Sequence, residues 1–215
     1  MMHRRHLLAG LGTTLFADLA PGALRAAPIK PGDKAALLVI DGQNCCLPGG
    51  SLAGKDGDQV VAKAFANVVL TQDWHTPAHV SFASSHAEKK PFDLIDLPYG
   101  KQVLWPDHCV QGTEGASLSK DLLIPQAELI IRKGYHKSVD SYSAFTEADG
   151  KTTTGLGAYL KAREIDTVFV AGLATDFCVA WSALDARKAG FTTYVVEDGC
   201  RGIDAHTRLG HAVMM

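Results

Sequence analysis

The sequence predicts an α/β fold, an open parallel sheet in a three-layer sandwich with flanking helices. Short runs of Val, Ile and Leu are continuous rather than alternating, as expected of strands that are buried on both faces. Helical patterns separate these runs, which is typical of β-α-β units. The 215 residues, 47% of them hydrophobic, suffice for one sizeable core and are short for two.

Each of four predicted strands leads to a polar or reactive residue. The five predicted strands are the runs KAALLVID, ANVVLTQDW, AELIIRKG, DTVFVAGLA and FTTYVVEDG. The first three end near Asp41, Asp73 and Lys133, and the fourth precedes Cys178. Because the carboxyl ends of parallel strands share one edge of a sheet, these four side chains can converge on a single crevice.

The segment TDFCVAWSALDARKAG predicts a helix that Thr175 or Asp176 caps and Gly190 ends. Its predicted inner face consists of Phe177, Ala180, Trp181 and Leu184. Cys178 then lies in the first turn, where unpaired amide groups favour a thiolate. A lysine nearby would lower the thiol pKa further below about 8.5, and an aspartate would accept the proton.

Two interpretations of Cys178 follow from this placement. Cysteine often fills apolar cores, so a packing role is the simpler one. A cysteine, a lysine and an aspartate together also supply a nucleophile, electrostatic support and acid–base catalysis. The strand ends alone leave both interpretations open.

A histidine cluster predicts a metal site. Asp73 and His75 lie two residues apart at a strand end, and His108 follows a Trp-Pro turn. One carboxylate and two imidazoles leave open positions, as in catalytic sites for zinc, iron or manganese. His79 and His86 are nearby candidates, and the alternative for each histidine is an ordinary surface or hydrogen-bonded role.

The N-terminus is predicted to be an export signal. It has paired arginines, Arg4 and Arg5, before a modest apolar stretch that Asp18 interrupts, too short to span a bilayer. RRHLLAG is similar to a twin-arginine leader, so we predict a signal at 1–27, one domain at 28–215, and a periplasmic or exported protein. If this segment is only a basic arm, the protein is cytoplasmic.

The net charge bears on the candidate binding partners, and the cysteine count bears on the number of free thiols. The formal net charge of −2, without a basic run, argues against nucleic acid and anionic membranes as partners. Five cysteines are an odd number, so an oxidising compartment still leaves a free thiol. A bond between the adjacent Cys45 and Cys46 would be strained.

Taken together, these motifs resemble the nicotinamidases of the isochorismatase-like cysteine hydrolase superfamily. The resemblance covers roughly residues 34 to 204 and rests on LLVIDGQN…LPGGSL, LTQDWHTPAHVSFASSH, LWPDHCVQGTEGA, IRKG…DSYSAF and VAGLATDFCVAWSALDARKAG…EDGCRG. It implies hydrolysis of nicotinamide to nicotinate and ammonia, a step of NAD salvage, through a cysteine thioester. Pyrazinamide-like analogues are further candidate substrates. One divalent metal ion is implied, with zinc ahead of iron and manganese.

The resemblance also implies roles for individual residues. The implied catalytic triad is Asp41, Lys133 and Cys178. The implied metal ligands are Asp73, His75 and His108, with His79 as a further candidate. Trp105 and Tyr142 match positions that line the nicotinamide pocket. Leu173–Ala174 matches a cis peptide that turns the amides of Ala174 and Cys178 into an oxyanion hole.

The sequence departs from the family pattern at three places. Cys46 stands where the family has an aromatic residue, which predicts a less complete pocket wall. DQVVAKAF gives only about two helical turns, so the first crossover helix is predicted to be short. After CRGID the chain reads AHTRLGHAVMM, which predicts missing C-terminal elements.

Two other functions remain open. Another isochorismatase-like amide hydrolase would share the triad without needing the metal ligands. A trimmed, non-catalytic relative would instead bind metal or use Cys45 and Cys46 as a reactive thiol pair.

Overall fold

The computed structural model describes residues 29–47, 49–51 and 65–203. The strands of this part are β1 (Ala35–Ile40), β2 (Asn67–Asp73), β3 (Leu94–Leu97), β4 (Gly100–Val103), β5 (Leu129–Lys133), β6 (Thr167–Leu173) and β7 (Thr192–Arg201). Its α-helices are α1 (Leu156–Ala162) and α2 (Ala180–Lys188), and a π-helical turn, Thr175–Val179, leads into α2. Single 3₁₀ turns lie at Asn44–Cys46, Ala83–Ser85 and Glu114–Ala116.

The main sheet has the strand order β5-β2-β1-β6-β7, and all neighbouring strands are parallel. It contains the five strands that the sequence predicts. Strands β1 and β2 are buried at every position, which explains the continuous apolar runs at 35–40 and 68–70 within them. The antiparallel hairpin of β3 and β4 was not predicted. Its residues are mostly exposed or half-buried, so they carry little hydrophobic signal.

The strand order places a topological switch point between β1 and β6. From β1 the chain proceeds outward to β2 and β5, then returns to β6 on the other side of β1 and continues to β7. Ligands of open parallel sheets bind beyond the carboxyl ends of the two strands at such a point. Asp41 follows β1 directly, and Cys178 lies in the turn after β6. Both therefore lie at this crevice.

The start of α2 differs from the prediction. Neither Thr175 nor Asp176 caps the helix, because both lie inside the π-helical turn that follows Ala174. The Val179 amide donates to the Ala174 carbonyl at 3.0 Å, a bond between residues five apart. The Asp176 carboxylate instead accepts a hydrogen bond from the Ile203 amide at 3.1 Å. The predicted C-terminal end is correct, since the backbone after α2 reaches Gly190 at φ +95°.

The π-helical turn also changes which face of α2 is buried. One extra residue in a turn rotates the following positions by about 100°. Trp181, predicted to face inward, is 42% exposed, whereas Ser182, Ala183 and Ala186 are buried. The predicted inner face is therefore wrong at its largest residue.

A disulfide joins Cys45 in the 3₁₀ turn after β1 to Cys109, which follows His108. The sequence left the pairing of the cysteines open. In the described part of the chain Cys46, Cys178 and Cys200 are free thiols. The adjacent Cys45 and Cys46 are thus not bonded to each other.

Several predictions fall outside the described residues. These are the export signal at 1–27, most of the short first crossover helix and the shortened C-terminal region. They stay predictions. Within the described ranges, no helix has the length and apolar character that crossing a bilayer requires.

Candidate active site

The carboxyl edge of the sheet brings Asp41, Lys133 and Cys178 together. Lys133 Nζ lies 2.9 Å from Asp41 Oδ2 and 3.3 Å from Cys178 Sγ. Asp41 follows β1 and Lys133 ends β5, and β2 lies between these two strands. The long Lys133 side chain bridges that gap. The three implied triad residues therefore share one buried spot.

Lys133 is a fully buried ammonium group whose three hydrogens are all used. It donates to Asp73 Oδ1 at 2.5 Å, to the Ser141 carbonyl at 3.1 Å and to Cys178 Sγ. Burial alone would lower the pKa of Lys133, but the carboxylates of Asp41 and Asp73 outweigh this and hold it well above its usual range. Asp41 Oδ2 receives no hydrogen bond from any described residue, although it is paired with the lysine charge. That oxygen is free to accept a proton.

Thr71 orients Asp41, a role that the sequence did not reveal. The Thr71 hydroxyl donates to Asp41 Oδ1 at 2.6 Å and accepts from the Asp41 amide at 3.0 Å. These bonds hold Asp41 at φ +48°. Burial raises the pKa of Asp41, Lys133 lowers it and Asp73 raises it, and the net shift is upward. A carboxylate with a raised pKa is a better proton acceptor, which suits a general base.

The expected lowering of the Cys178 pKa is wrong. Burial raises this pKa well above its usual value and outweighs the opposing effect of Lys133. The negative charges of Asp41 and Asp73 raise it further. Sequence spacing predicts neighbouring charges but not the loss of solvent, which here is the larger effect. The resting residue is therefore a thiol that needs a base.

Asp73, His75 and His108 form a buried group with the donor atoms of a metal site. The Nε2 atoms of His75 and His108 lie 3.8 and 3.9 Å from Asp73 Oδ2. Their Nδ1 atoms lie 2.9 Å from the carbonyls of Gly134 and Pro106. Because a carbonyl only accepts, each Nδ1 carries the hydrogen and each Nε2 keeps a lone pair. Burial, followed by the neighbouring His108, lowers the pKa of His75 and favours its neutral form. These residues fit a divalent ion.

The His79 ring packs against that of His75, with the centroids 4.4 Å apart, and the two histidines and Asp140 form a second group of closely spaced donor atoms. His79 Nε2 contacts the carbonyls of His136 and Val139 at 2.9 and 3.2 Å, and its Nδ1 contacts the Ser81 hydroxyl at 2.7 Å. Nε2 therefore carries the hydrogen and Nδ1 accepts from serine, which leaves no lone pair for a metal. His86 Nε2 contacts the Val80 carbonyl at 2.7 Å. These bonds favour a structural role for His79 and His86, and a role of His79 as a further metal ligand stays a prediction.

Gln43 positions Asp73, although the sequence suggested no function for it. Its Oε1 accepts from the Asp73 amide at 2.7 Å, and its Nε2 donates to the carbonyls of Asp73 and Ala116 at 2.8 Å each. The fully buried side-chain amide thus continues the hydrogen-bond pattern of β1 and β2 beyond their ends. Asp73 is held in place by this contact on one side and by Lys133 on the other.

Gly134 provides space for His75. A β-carbon at this position would lie 2.6 Å from His75 Cε1, and Gly134 has φ +64°. Gly134→Ala is therefore expected to displace the imidazole and to weaken the affinity for added zinc at least about tenfold. Loss of a contact that orients a metal-binding histidine usually has an effect of this size. Competition against a chromophoric chelator measures the affinity.

Gly150→Ala is the matched control for this substitution. Gly150 has φ +68°, and a β-carbon there meets nothing within 4 Å. It imposes the same backbone cost without the contact to His75. Equal zinc affinity in the two variants would show that Gly134 has no special relation to the ligand.

A cavity of about 490 Å³, including its open mouth, is lined by Asp41 and Cys178 and by Asp73, His75 and His108. Its lining residues are Asp41, Cys46, Asp73, His75, Trp105, His108, Asp140, Ser141, Tyr142, Leu173, Ala174, Phe177, Cys178 and Ile203. Trp105 Nε1 donates to the Tyr142 hydroxyl at 3.2 Å, and the Phe177 ring lies 4.7 Å from Trp105 and 5.4 Å from Tyr142. The cavity therefore offers an aromatic wall for a flat ring.

Three features of this cavity bear on the sequence predictions. Cys46 does line it, at the position where the family pattern has an aromatic residue. Phe177 was assigned to the inner face of the helix, but it contributes to the aromatic wall. The buried Asp140 accepts from Gln102 Nε2 at 2.7 Å and was missed, although it is the first residue of the DSYSAF motif. The Leu173–Ala174 peptide is cis, as predicted, and Ala174 lines the cavity with Cys178.

Comparison with known proteins places the chain among amide hydrolases. Residues 35–214 match the family model described as the isochorismatase domain. The nicotinamidase of Acinetobacter baylyi is 55% identical over 190 residues, which cover 86% of this chain and 89% of the relative. The solved structure of an Acinetobacter baumanii nicotinamidase and pyrazinamidase has a TM-score of 0.82 and 56% identity, covering 86% of this chain and 92% of that chain. A Pyrococcus horikoshii pyrazinamidase in complex with zinc has a TM-score of 0.64 and 30% identity, with coverage of 84% and 93%.

Proposed function

The chain belongs to the isochorismatase domain family, and from this premise we propose that it hydrolyses nicotinamide to nicotinate and ammonia. The 55% identity to a nicotinamidase supports an enzyme that acts on an amide. The observation that carries the proposal is that Lys133 contacts both Asp41 and Cys178, and that these two residues line one cavity with Asp73, His75 and His108.

The first step forms a thioester. Asp41 Oδ2 takes the proton of the Cys178 thiol while the sulfur attacks the carboxamide carbon, so that a C–S bond forms. Lys133 stabilises the negative charge that passes between the two residues. The backbone amides of Ala174 and Cys178 stabilise the developing oxyanion. Asp41 then returns the proton to the departing nitrogen, the C–N bond breaks and ammonia leaves.

The second step releases the acid. Asp41 takes a proton from water, and the resulting hydroxide attacks the thioester carbon. The C–S bond breaks, Asp41 returns the proton to Cys178, and the carboxylic acid loses its own proton to solvent to give nicotinate. One carboxylate thus acts as base and acid in both halves of the reaction, which is consistent with its upward-shifted pKa.

Asp73, His75 and His108 are proposed to hold one divalent ion, and zinc is the first candidate among zinc, iron and manganese. When bound, this ion supplies a Lewis-acid contact for the pyridine nitrogen of the substrate. The Pyrococcus horikoshii relative is in complex with zinc, which supports zinc as the first candidate here. Trp105, Tyr142 and Phe177 would pack around the ring and direct its carboxamide towards Cys178.

Removal of the metal tests this proposal. Purified protein is expected to release ammonia from nicotinamide, to lose at least about tenfold of that activity after treatment with a chelator, and to regain it with zinc. Turnover that a chelator leaves unchanged would favour another isochorismatase-like amide hydrolase. Metal binding without ammonia release would identify a non-catalytic relative.

The proton acceptor should be visible in the pH profile. Asp41 must be ionised to act, and burial raises its pKa above the usual 3.8, so kcat/KM is expected to fall as the pH drops through that raised value. Thr71→Val removes a hydrogen bond that lowers the Asp41 pKa, and it should therefore shift the acid limb upward. Metal content measured at each pH separates this effect from loss of the ion. An acid limb that Thr71→Val leaves in place would exclude Asp41 as its source.

A further inference from the structure

We propose that Cys45, Cys46 and Cys109 form a thiol–disulfide exchange site, in which Cys46 attacks the Cys45–Cys109 disulfide and replaces Cys45 as the partner of Cys109. This inference rests on the sulfur atoms alone and does not depend on the proposed function.

The three sulfur atoms lie in mutual contact. Cys46 Sγ is 3.5 Å from Cys45 Sγ and 4.0 Å from Cys109 Sγ. All three cysteines are buried, and together with Leu173 they form a small apolar cluster of their own. The other free thiols of the described chain, Cys178 and Cys200, belong to the main core cluster. Among the free thiols of the described residues, only Cys46 therefore belongs to the same cluster as the disulfide.

Cys46 Sγ lies slightly nearer to Cys45 Sγ than to Cys109 Sγ, but the geometry of the product selects Cys109. Attack on Cys45 would bond two adjacent residues, whose Cα atoms are about 3.8 Å apart across a trans peptide. Disulfides usually join Cα atoms separated by about 4.4–6.8 Å, and Cys45 and Cys109 are 5.9 Å apart. Attack on Cys109 Sγ joins two residues that are distant in sequence and free of this constraint. The product is therefore a Cys46–Cys109 disulfide.

The exchange needs no external oxidant or reductant. Cys46 loses its proton and its sulfur bonds to Cys109 Sγ, while the Cys45–Cys109 bond breaks. Cys45 leaves as a thiolate and takes up the proton. The numbers of disulfides and thiols are the same before and after.

The two disulfides differ in what they leave in the active-site cavity. Either one ties Cys109, and with it the adjacent His108, to the same 3₁₀ turn at Asn44–Cys46. Cys46 lines the cavity, whereas Cys45 does not. Cys46 thus contributes a free thiol to the cavity wall, beside that of Cys178, only while Cys45 holds the bond. Exchange changes the wall of the cavity and preserves the cross-link.

Thiol counts after denaturation test whether Cys46 can replace Cys45. The oxidised protein should show three thiols, because one disulfide uses two of its five cysteines. The Cys45→Ser protein should show only two, since Cys46 and Cys109 become linked. Four thiols in this variant would overturn the proposal. The Cys109→Ser protein should show four thiols. A count of two thiols would mean that Cys45 and Cys46 bond to each other, which would contradict the preference of Cys46 for Cys109.

Alkylation of the native protein tests whether the exchange occurs in the folded chain. Burial raises the pKa of the Cys46 thiol, so labelling with iodoacetamide is run for hours before digestion without reduction. Mass-spectrometric fragmentation of the peptide between residues 45 and 46 shows which cysteine carries the label. Cys45 should be labelled in the unmodified protein and unlabelled in the Cys46→Ser protein. Cys200→Ser, altered outside the cluster, should behave as the unmodified protein. Absence of label on Cys45 in the unmodified sequence would overturn the proposal whatever the thiol counts.

Discussion

Replacing Cys178 by alanine is expected to reduce ammonia release from nicotinamide by a factor of roughly 10⁴ or more, the usual scale for loss of a nucleophile that works with its base as a unit. Without the sulfur there is no atom to form the thioester, and Asp41 has no thiol proton to accept. Zinc content should be unchanged, because Cys178 is not among the three proposed ligands. Ammonia release at saturating substrate and elemental analysis of the same sample measure both quantities.

Cys200→Ala is the matched control for the nucleophile. Cys200 is also a buried free thiol, but it lies in β7 and contacts the Val170 carbonyl rather than Lys133. The same loss of volume there should leave turnover within a few-fold of the unmodified protein. Activity retained by Cys178→Ala would refute the covalent route and leave the assignment to the family intact.

Replacing Lys133 by methionine is expected to lower the free energy of unfolding by about 3–5 kcal/mol, as is usual when one partner of a buried ion pair is removed. The change keeps an unbranched apolar stem and removes the charge. Asp41 and Asp73, both buried, would then face each other without the ammonium group that contacts them at 2.9 and 2.5 Å. Denaturant unfolding measures the loss, and turnover should fall as well.

The control for Lys133→Met is Lys34→Met. Lys34 pairs with Glu164 at 3.5 Å on the surface, where both side chains are largely exposed, so its removal should cost less than about 1 kcal/mol. Equal losses in the two variants would mean that the buried charges are not coupled as the distances indicate.

The pH dependence of stability provides a second test of Lys133→Met. Without the lysine, nothing of comparable size offsets the burial that raises the pKa of Asp41 in the folded state, so the variant should regain stability as the pH falls and Asp41 binds a proton.

The parts of the site that the sequence predicts are those that depend on strand ends. Continuous apolar runs identify β1, β2, β5 and β6, and the residues that follow them must meet at one edge of a parallel sheet. The family resemblance then connects Asp41, Lys133 and Cys178 into a triad. The structure brings these residues together, so hydrophobic patterning and motif were sufficient for the position of the site.

The missed features depend on contacts between distant segments. Thr71 supports Asp41 only because β2 lies beside β1, and Gln43 supports Asp73 only because its side chain crosses between them. The direction of the Cys178 pKa shift depends on how completely the site excludes water. The π-helical turn before α2 changes the bonding of a few amides, and hydrophobic periodicity does not reveal such a change. None of these is encoded in local spacing.

The strand order has a consequence for refolding. The proposed reacting groups lie at the ends of β1 and β5 and in the turn after β6, and β2 must already lie between β1 and β5 for Lys133 to reach Asp41. Contacts between segments so far apart along the chain close late, because the intervening loops must first be ordered. Recovery of turnover after dilution from denaturant should therefore lag behind recovery of helical circular dichroism. A partly assembled chain would expose its thiols without possessing a working nucleophile.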